Sequence, residues 1–305
     1  VNAARNIRLA IAILSLGCLS ERASVRASAE EKPPLIARPT SIVLSKPGQA
    51  ALSPDGDRVA ISDRFGNSIQ VIDSRGNLVW AAGEGLALNQ PTAVAFASSG
   101  DVLYSQWDGH LVFRVSQKSV NRIDTVADLS KSAGPASRIL KIYLQPDKAW
   151  LVLTSNPDQL VRFDTDFKTP AVLVKGGSSK GKIDRPTGVA QTASGRLVVA
   201  ARGANPVQIF DQSGKFLVAA DWNASTPVGI WEAAAVTVDT RERVWAFDAT
   251  NIRLREYDQT GTLLSTRGIS SGNRFPVDMV ITADNQLIVI DANGRIDLYD
   301  LNLEN

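Results

Sequence analysis

The 305-residue chain holds one cysteine, Cys18, one histidine, His110, and one methionine. A single thiol closes no internal disulfide, and one thiolate with one imidazole falls short of the nitrogen and sulfur ligands that zinc takes. His110, in the loop-like stretch WDGHL, is the sole imidazole base available to a nucleophile, with no partner motif beside it. No glycine-rich phosphate loop leads into a lysine: KGGSSKGK at 175–182 lacks the ordered spacing of a P-loop and reads as a flexible connection. The apolar run Leu9–Leu16 near the N-terminal end is well short of the roughly 20 residues that span a bilayer, so no membrane span is expected. Charge of one sign is also lacking. The formal net charge is +2, and without the first 29 residues, where Arg5, Arg8, Arg22 and Arg26 face only Glu21, it is −1. A near-neutral body lacks the basic surface on which phosphate backbones dock, which argues against nucleic acid as a partner.

What is present at the start, two arginines followed by an apolar run and then small polar residues, has the order of an export signal over residues 1–29. Two cleavage readings stay open. LSLGC, cut after Gly17, would leave Cys18 for lipidation, although Ser15 and Leu16 invert the usual order of leucine and small residue. ASA at 27–29, cut after Ala29, would give a soluble form. Either places the protein in the periplasm, on an outer surface through a lipid anchor, or outside the cell; a tail on a cytosolic protein is the bland alternative. Residues 30–34, with the closing EKPP, read as a spacer, and one domain is expected over 35–305.

With 44% hydrophobic residues the body is globular, and its organisation is periodic. VQIFDQSGKFLV at 207–218 returns as LREYDQTGTLLS 47 positions later. In each a short strand runs into aspartate, a glycine turn reverses the chain and a second strand leaves, which is a hairpin. Strands ending on this kind of turn occur at Asp73, Ser116, Asp164, Asp211, Asp258 and Asp300, at intervals of 43, 48, 47, 47 and 42 residues. Upstream of each lies another turn (SPDGDR, ASSGD, QPDKA, TASGR, DTRER, TADNQ) that leads into an apolar strand. Six such units of four short strands predict an all-β, six-bladed β-propeller. The last unit lacks a fourth strand, and the spare strand TSIVLS at Thr40–Ser45 is expected to supply it on the outside of that blade, closing the ring.

The segments SPDGDRVAISDRFGNSIQVIDSRGNLV and RPTGVAQTASGRLVVAARGANPVQIFDQSGKFLV resemble NHL repeats, with the second and third units degenerate. The resemblance implies the propeller and leaves function open. Some six-bladed propellers are metal-dependent lactonases resembling gluconolactonases and paraoxonases. That resemblance would predict a glutamate in a Glu-Gly-Pro setting at the first blade, where this chain has KPGQA with Gln49. Calcium, which accepts oxygens alone, stays possible; no other cofactor is expected.

In an up-and-down meander the loops between blades share a face with the turns joining second and third strands, so a ligand is expected there. Candidates within blades are Asp63, Arg64, Trp107, His110, Asn156, Arg202, Asn205, Asp248, Asn251, Asp291 and Asn293; between blades they are Arg138, Arg185, Trp231 and Glu232. Trp222 is a further loop aromatic for stacking, whereas Trp80, Trp150 and Trp245 sit in strands and are expected in the core. Alignment of the innermost strands on the following turn gives two columns. Gln49, Ala93, Lys141, Gly188, Ala235 and Asp278 stand four places before it; Ala51, Ala95, Tyr143, Ala190, Thr237 and Val280 stand two places before it. The mostly bulky residues between them are assigned to packing between blades and these columns to the surroundings of the channel. Lys141 and Asp278, charged members of a mostly small column, belong to units three and six, which face each other across a ring of six. They are expected either to orient a ligand or to form a structural ion pair.

These features favour an exported, non-catalytic NHL-like propeller that binds a protein, peptide or glycan through Lys141, Asp278, Tyr143, Gln49, Trp107, Arg138, Arg185, Arg202, Trp231 and Glu232. The alternative is a calcium-dependent lactonase- or esterase-type hydrolase with its site at the channel mouth.

Overall fold

The computed structural model describes residues 29–83, 86, 88–107, 109–118, 122–203, 205–221, 232–269 and 275–302. Residues 1–28 of the expected export signal, with Cys18 among them, and Trp222 and Trp231 lie outside the described residues. Two N-terminal strands, β1 (Glu30–Leu35) and β2 (Arg38–Val43), precede the repeats. The first blade is β3 (Pro47–Leu52), β4 (Arg58–Asp63), β5 (Ser68–Asp73) and β6 (Leu78–Ala82). The second is β7 (Pro91–Phe96), β8 (Val102–Gln106), β9 (Leu111–Val115) and β10 (Ile123–Asp128), followed by the one-turn helix α1 (Ser130–Ala133). The third is β11 (Arg138–Leu144), β12 (Trp150–Ser155), β13 (Gln159–Phe163) and β14 (Ala171–Lys175). The fourth is β15 (Pro186–Gln191), β16 (Leu197–Ala201), β17 (Val207–Phe210) and β18 (Phe216–Ala219). β19 (Ala233–Val238), β20 (Val244–Asp248), β21 (Arg253–Tyr257) and β22 (Leu263–Ile269) form the fifth, and β23 (Pro276–Ile281), β24 (Gln286–Asp291) and β25 (Arg295–Asp300) the sixth.

The expected turns shape these blades. The Asp211 carboxylate accepts the N–H groups of Ser213 (2.8 Å) and Lys215 (3.0 Å), and Asp258 does the same for Thr260 (2.8 Å) and Thr262 (2.9 Å). Asp73 and Asp164 cap their turns in the same way, and in the second unit the Ser116 hydroxyl takes over. Aspartate recurs because its short side chain satisfies amides that the reversing backbone leaves unpaired. Gly214 (φ +84°) follows because an added Cβ would stand 2.4 Å from the Leu173 carbonyl oxygen.

The innermost strands contact one another in the cycle β3, β7, β11, β15, β19, β23 and back to β3, which closes a six-bladed propeller. β2 joins β25 antiparallel as the fourth strand of the last blade, as the sequence predicts. The expected spacer at 30–34 is instead part of β1, a fifth strand added parallel to β22 on the neighbouring blade, with Glu30 opposite Ser265. Pro33 and Pro34 read as breakers, but proline is tolerated on an edge strand, where the register shifts between Lys32 and Leu35.

The core lies in the interfaces between blades, and both alternating sets of the inner strands contribute. Val94 and Phe96 pack back onto Ile69 and Val71 of the first blade, while Ala93 and Ala95 pack forward onto Ile139 and Ile142 of the third. The assignment of the small column to the channel alone is therefore corrected. Each inner strand presents its two faces to its two neighbouring blades and its free edge to the axis, so small residues let the next blade approach. Trp150 and Trp245 are buried and Trp80 half-buried, as expected for strand tryptophans.

Candidate functional site

The structure sorts the described candidates into three groups. At the hub, Lys141 of β11 reaches across the axis to Asp278 of β23, and the ammonium pairs directly with Oδ2. Lys141 Nζ also donates to the Ala50 carbonyl (3.0 Å), and the Ala50 N–H donates to Asp278 Oδ2 (2.8 Å). Asp278 Oδ1 accepts the Met279 N–H (2.9 Å). The pair is a strut that engages the free edge of β3, whose backbone groups have no further strand to meet. It is 5% and 1% exposed, respectively. Gln49 stands at the same level with its Oε1 buried and unpartnered.

Towards the first-turn face the channel widens into a cavity of about 520 Å³. Lys141 lines it, with Tyr143 and Thr237 among the polar groups and Lys148 from the turn after β11. Burial pushes the Tyr143 hydroxyl up from its ordinary pKa, which keeps it protonated. This opening is on the face opposite the loop-rich rim. The alanines two places before the first turn are the sequence signal that pointed here.

On the loop-rich face, Trp107 follows β8 and is 42% exposed. The Arg64 guanidinium lies 3.4 Å over its ring and that of Arg138 5.3 Å away, so three neighbouring blades meet at one indole. Arg64 Nε donates to Gln90 Oε1 (3.2 Å), and among the described residues no carboxylate pairs with it. Desolvation first, and then the charge of Arg138, hold the Arg64 guanidinium below its ordinary pKa. The loops are fixed by a repeated backbone bridge: Arg64 N–H to Lys46 carbonyl (2.8 Å), Trp107 to Gln90 (2.8 Å), Arg202 to Arg185 (3.1 Å) and Ala249 to Glu232 (3.0 Å).

That bridge assembles the third group farther around the rim. Arg185 donates its Nη2 to the Arg202 carbonyl, and Arg202 Nε lies 4.0 Å from Glu232 Oε2. Both side chains of this last pair are partly exposed, so it adds little stability. Three other rim candidates serve the loops. Asp63 accepts the N–H groups of Ser45 and Lys46 (2.8 Å each), Asp248 takes those of Thr250 and Asn251 with the Arg255 guanidinium, and Asp291 takes those of Phe275 and Asn293. His110 Nε2 lies 3.6 Å from Asp128 in the second blade.

Calcium requires about six to eight oxygens. Asp278, the carboxylate at the hub, is already bonded to an ammonium and two amides, and the Lys141 charge would repel a dication there. Among the described residues no group of three histidine, cysteine, aspartate or glutamate side chains converges. The hub does not fit a calcium centre. No described helix is long and apolar enough to cross a membrane.

No protein-family model and no curated protein matches the chain. Solved structures do. A calcium-binding regucalcin from Agrobacterium tumefaciens is 12% identical, with TM-score 0.65 over 88% of this chain and 95% of that one. A gluconolactonase from Xanthomonas campestris is 14% identical, with TM-score 0.63 over 89% and 96%. Virginiamycin B lyase from Staphylococcus aureus is 15% identical, with TM-score 0.57 over 88% and 90%. At these identities the likeness is one of fold: the chain is a six-bladed propeller of the architecture shared by lactonase, regucalcin and lyase propellers.

Proposed function

We propose that this chain is an exported binding propeller that takes a carboxylate-bearing peptide or glycan on its loop-rich face. The observation that carries this reading is the exposed indole of Trp107 with the guanidiniums of Arg64 and Arg138 beside it. Among the described residues no carboxylate pairs with the Arg64 guanidinium, so it is the charge that an anion would meet beside the ring. The indole supplies a flat apolar surface and the guanidinium fork a bidentate match for a carboxylate. Arg185 and Arg202 stand farther around the same rim, each with a carboxylate 4.0 Å away, Asp184 and Glu232 respectively.

The test is binding of oligoglutamate and of oligogalacturonate to the purified protein at low and high salt. Arg64→Ala and Trp107→Ala are each expected to weaken whichever probe binds by about 0.5–2 kcal/mol, in line with a lost cation–π and charge-assisted contact. Affinity should fall with salt because the contacts lie at the surface. Binding that survives both substitutions and is insensitive to salt would overturn the assignment.

A second reading, lactone or ester hydrolysis with calcium, is favoured by the fold neighbours, which include a gluconolactonase and a calcium-binding regucalcin. Lys141 on Asp278 speaks against it. Lactone turnover that stops on chelation and returns with calcium would establish it over the binding reading.

A further inference from the structure

The cavity on the first-turn face lies apart from the loop-rich rim, and its lining selects a ligand. Its volume of about 520 Å³ falls within the roughly 300–1,000 Å³ usual for small-molecule sites. Ala51, Ala95 and Ala190 leave the space by being small where Tyr143 and Val280 of the same column are large. Besides Lys141, Lys148, Tyr143 and Thr237, the polar part of the lining is Ser53, Ser98, Gln145 and Gln191, the two glutamines bonded to each other (3.3 Å). The hydroxyls of Tyr143 and Thr237 line the cavity with no hydrogen-bond partner among the described residues. Lys141, at 5% exposure, gives two of its three ammonium hydrogens to Ala50 and Asp278, leaving one donor.

Among the described residues no aspartate or glutamate lines the cavity. At its edge Lys148 is exposed and held in a left-handed turn (φ +66°), and its ammonium has no acid partner among the described residues. The adjacent Asp147 is occupied by Arg162 (2.5 Å) and by the Ala149 N–H (3.1 Å). The interior charge of Lys141 is compensated by Asp278, so a carboxylate driven to the floor would face a buried anion, whereas one left at the mouth meets an uncompensated cation.

We propose that this cavity binds a small monocarboxylate with an apolar body, the body among the alanines and the carboxylate at Lys148. The hydroxyls of Tyr143 and Thr237 and the free Lys141 donor select a body that carries a carbonyl or hydroxyl acceptor over a bare hydrocarbon.

Isothermal titration of the whole chain with decanoate, decanol and decylammonium tests the head group, and a keto-substituted decanoate tests the interior donors. Saturable one-to-one binding is expected in the order decanoate, decanol, decylammonium, with the keto acid tighter than decanoate. Lys148→Glu should weaken decanoate roughly threefold, the scale of an exposed charge contact, and strengthen decylammonium. Ala190→Phe, which fills the cavity, should weaken every ligand at least roughly tenfold. If that variant fails to fold, Ala95→Leu serves the same purpose, with thermal melting as the check on either. Absence of saturable binding, decanol equal to decanoate, or affinity indifferent to both Lys148→Glu and the filling substitution would overturn the proposal.

Discussion

Lys141 and Asp278 are the residues on which the hub turns. Two charges this deeply buried are stable only together, because each would otherwise lose its hydration without a counter-charge. Lys141→Met keeps the length of the side chain but leaves Asp278 as an unpaired buried carboxylate, and it is expected to cost about 3–5 kcal/mol in urea denaturation. Adding Asp278→Asn removes the orphaned charge and should recover a large part of that loss. A double-mutant cycle in which the two losses simply add would show that the residues do not interact. Opposite placement of this pair was legible from residue spacing alone, since one column and two units half a ring apart define a diameter. Its partner Ala50 was not, because a backbone contact leaves no mark on the identity of a side chain. The same limit hid the meeting of Arg64 with Trp107: both were rim candidates, but which side chains stack across a loop depends on rotamers.

The hairpin after the third strand is the repeated element, and its aspartate ties stability to pH. Hydrogen bonding to the Ser213 side chain and then to the Lys215 N–H holds the Asp211 carboxyl below its ordinary value; Asp164, through Thr169 and Lys168, behaves alike. A carboxyl with a depressed folded-state pKa stabilises the fold above its unfolded value of about 3.9, and the contribution is lost as pH falls through the lower folded value. Asp211→Ala is expected to lower the melting midpoint at neutral pH by at most roughly 2 °C and to flatten the acid limb of midpoint against pH. An unchanged acid limb would show that the turn does not sense this proton. The turns were read correctly because aspartate and glycine act locally. β1 escaped the same reading because a strand that adds parallel to a distant blade carries no local signature, and the two prolines that signal a break are compatible with an edge.

At the scale of the molecule the ring depends on a clasp. A propeller blade has little sequence-local reason to hold the next, and the ends of the chain must be joined or the sixth blade presents a raw edge. Here β2 closes the sixth blade and β1 runs along the fifth, so the N-terminal segment straddles the seam; Glu31 meets Arg253 (2.5 Å) on one side and Arg38 meets Gln286 (2.7 Å) on the other. The tightest point among the described glycines is Gly294, with φ +89°, where Leu44 approaches so closely that an added Cβ would stand 1.7 Å from the Leu44 carbonyl oxygen. The Leu44 N–H donates to the Gly294 carbonyl at 3.0 Å, so moving either residue opens the end of β2. Gly294→Ala therefore combines the left-handed backbone cost of about 1–2 kcal/mol with a backbone clash that only displacement of β2 relieves. Gly100→Ala is the control, because Gly100 has φ +86° and nothing within 4 Å of the new methyl group. Hydrogen exchange is expected to accelerate in residues 38–44 and 295–300 for Gly294→Ala, with the third blade protected as before, while Gly100→Ala loses only the backbone contribution and leaves the seam closed. Equal exchange at the seam in the two variants would mean that the ring is held by its blade interfaces alone, and the N-terminal strands would then be a cover for the edge instead of a clasp.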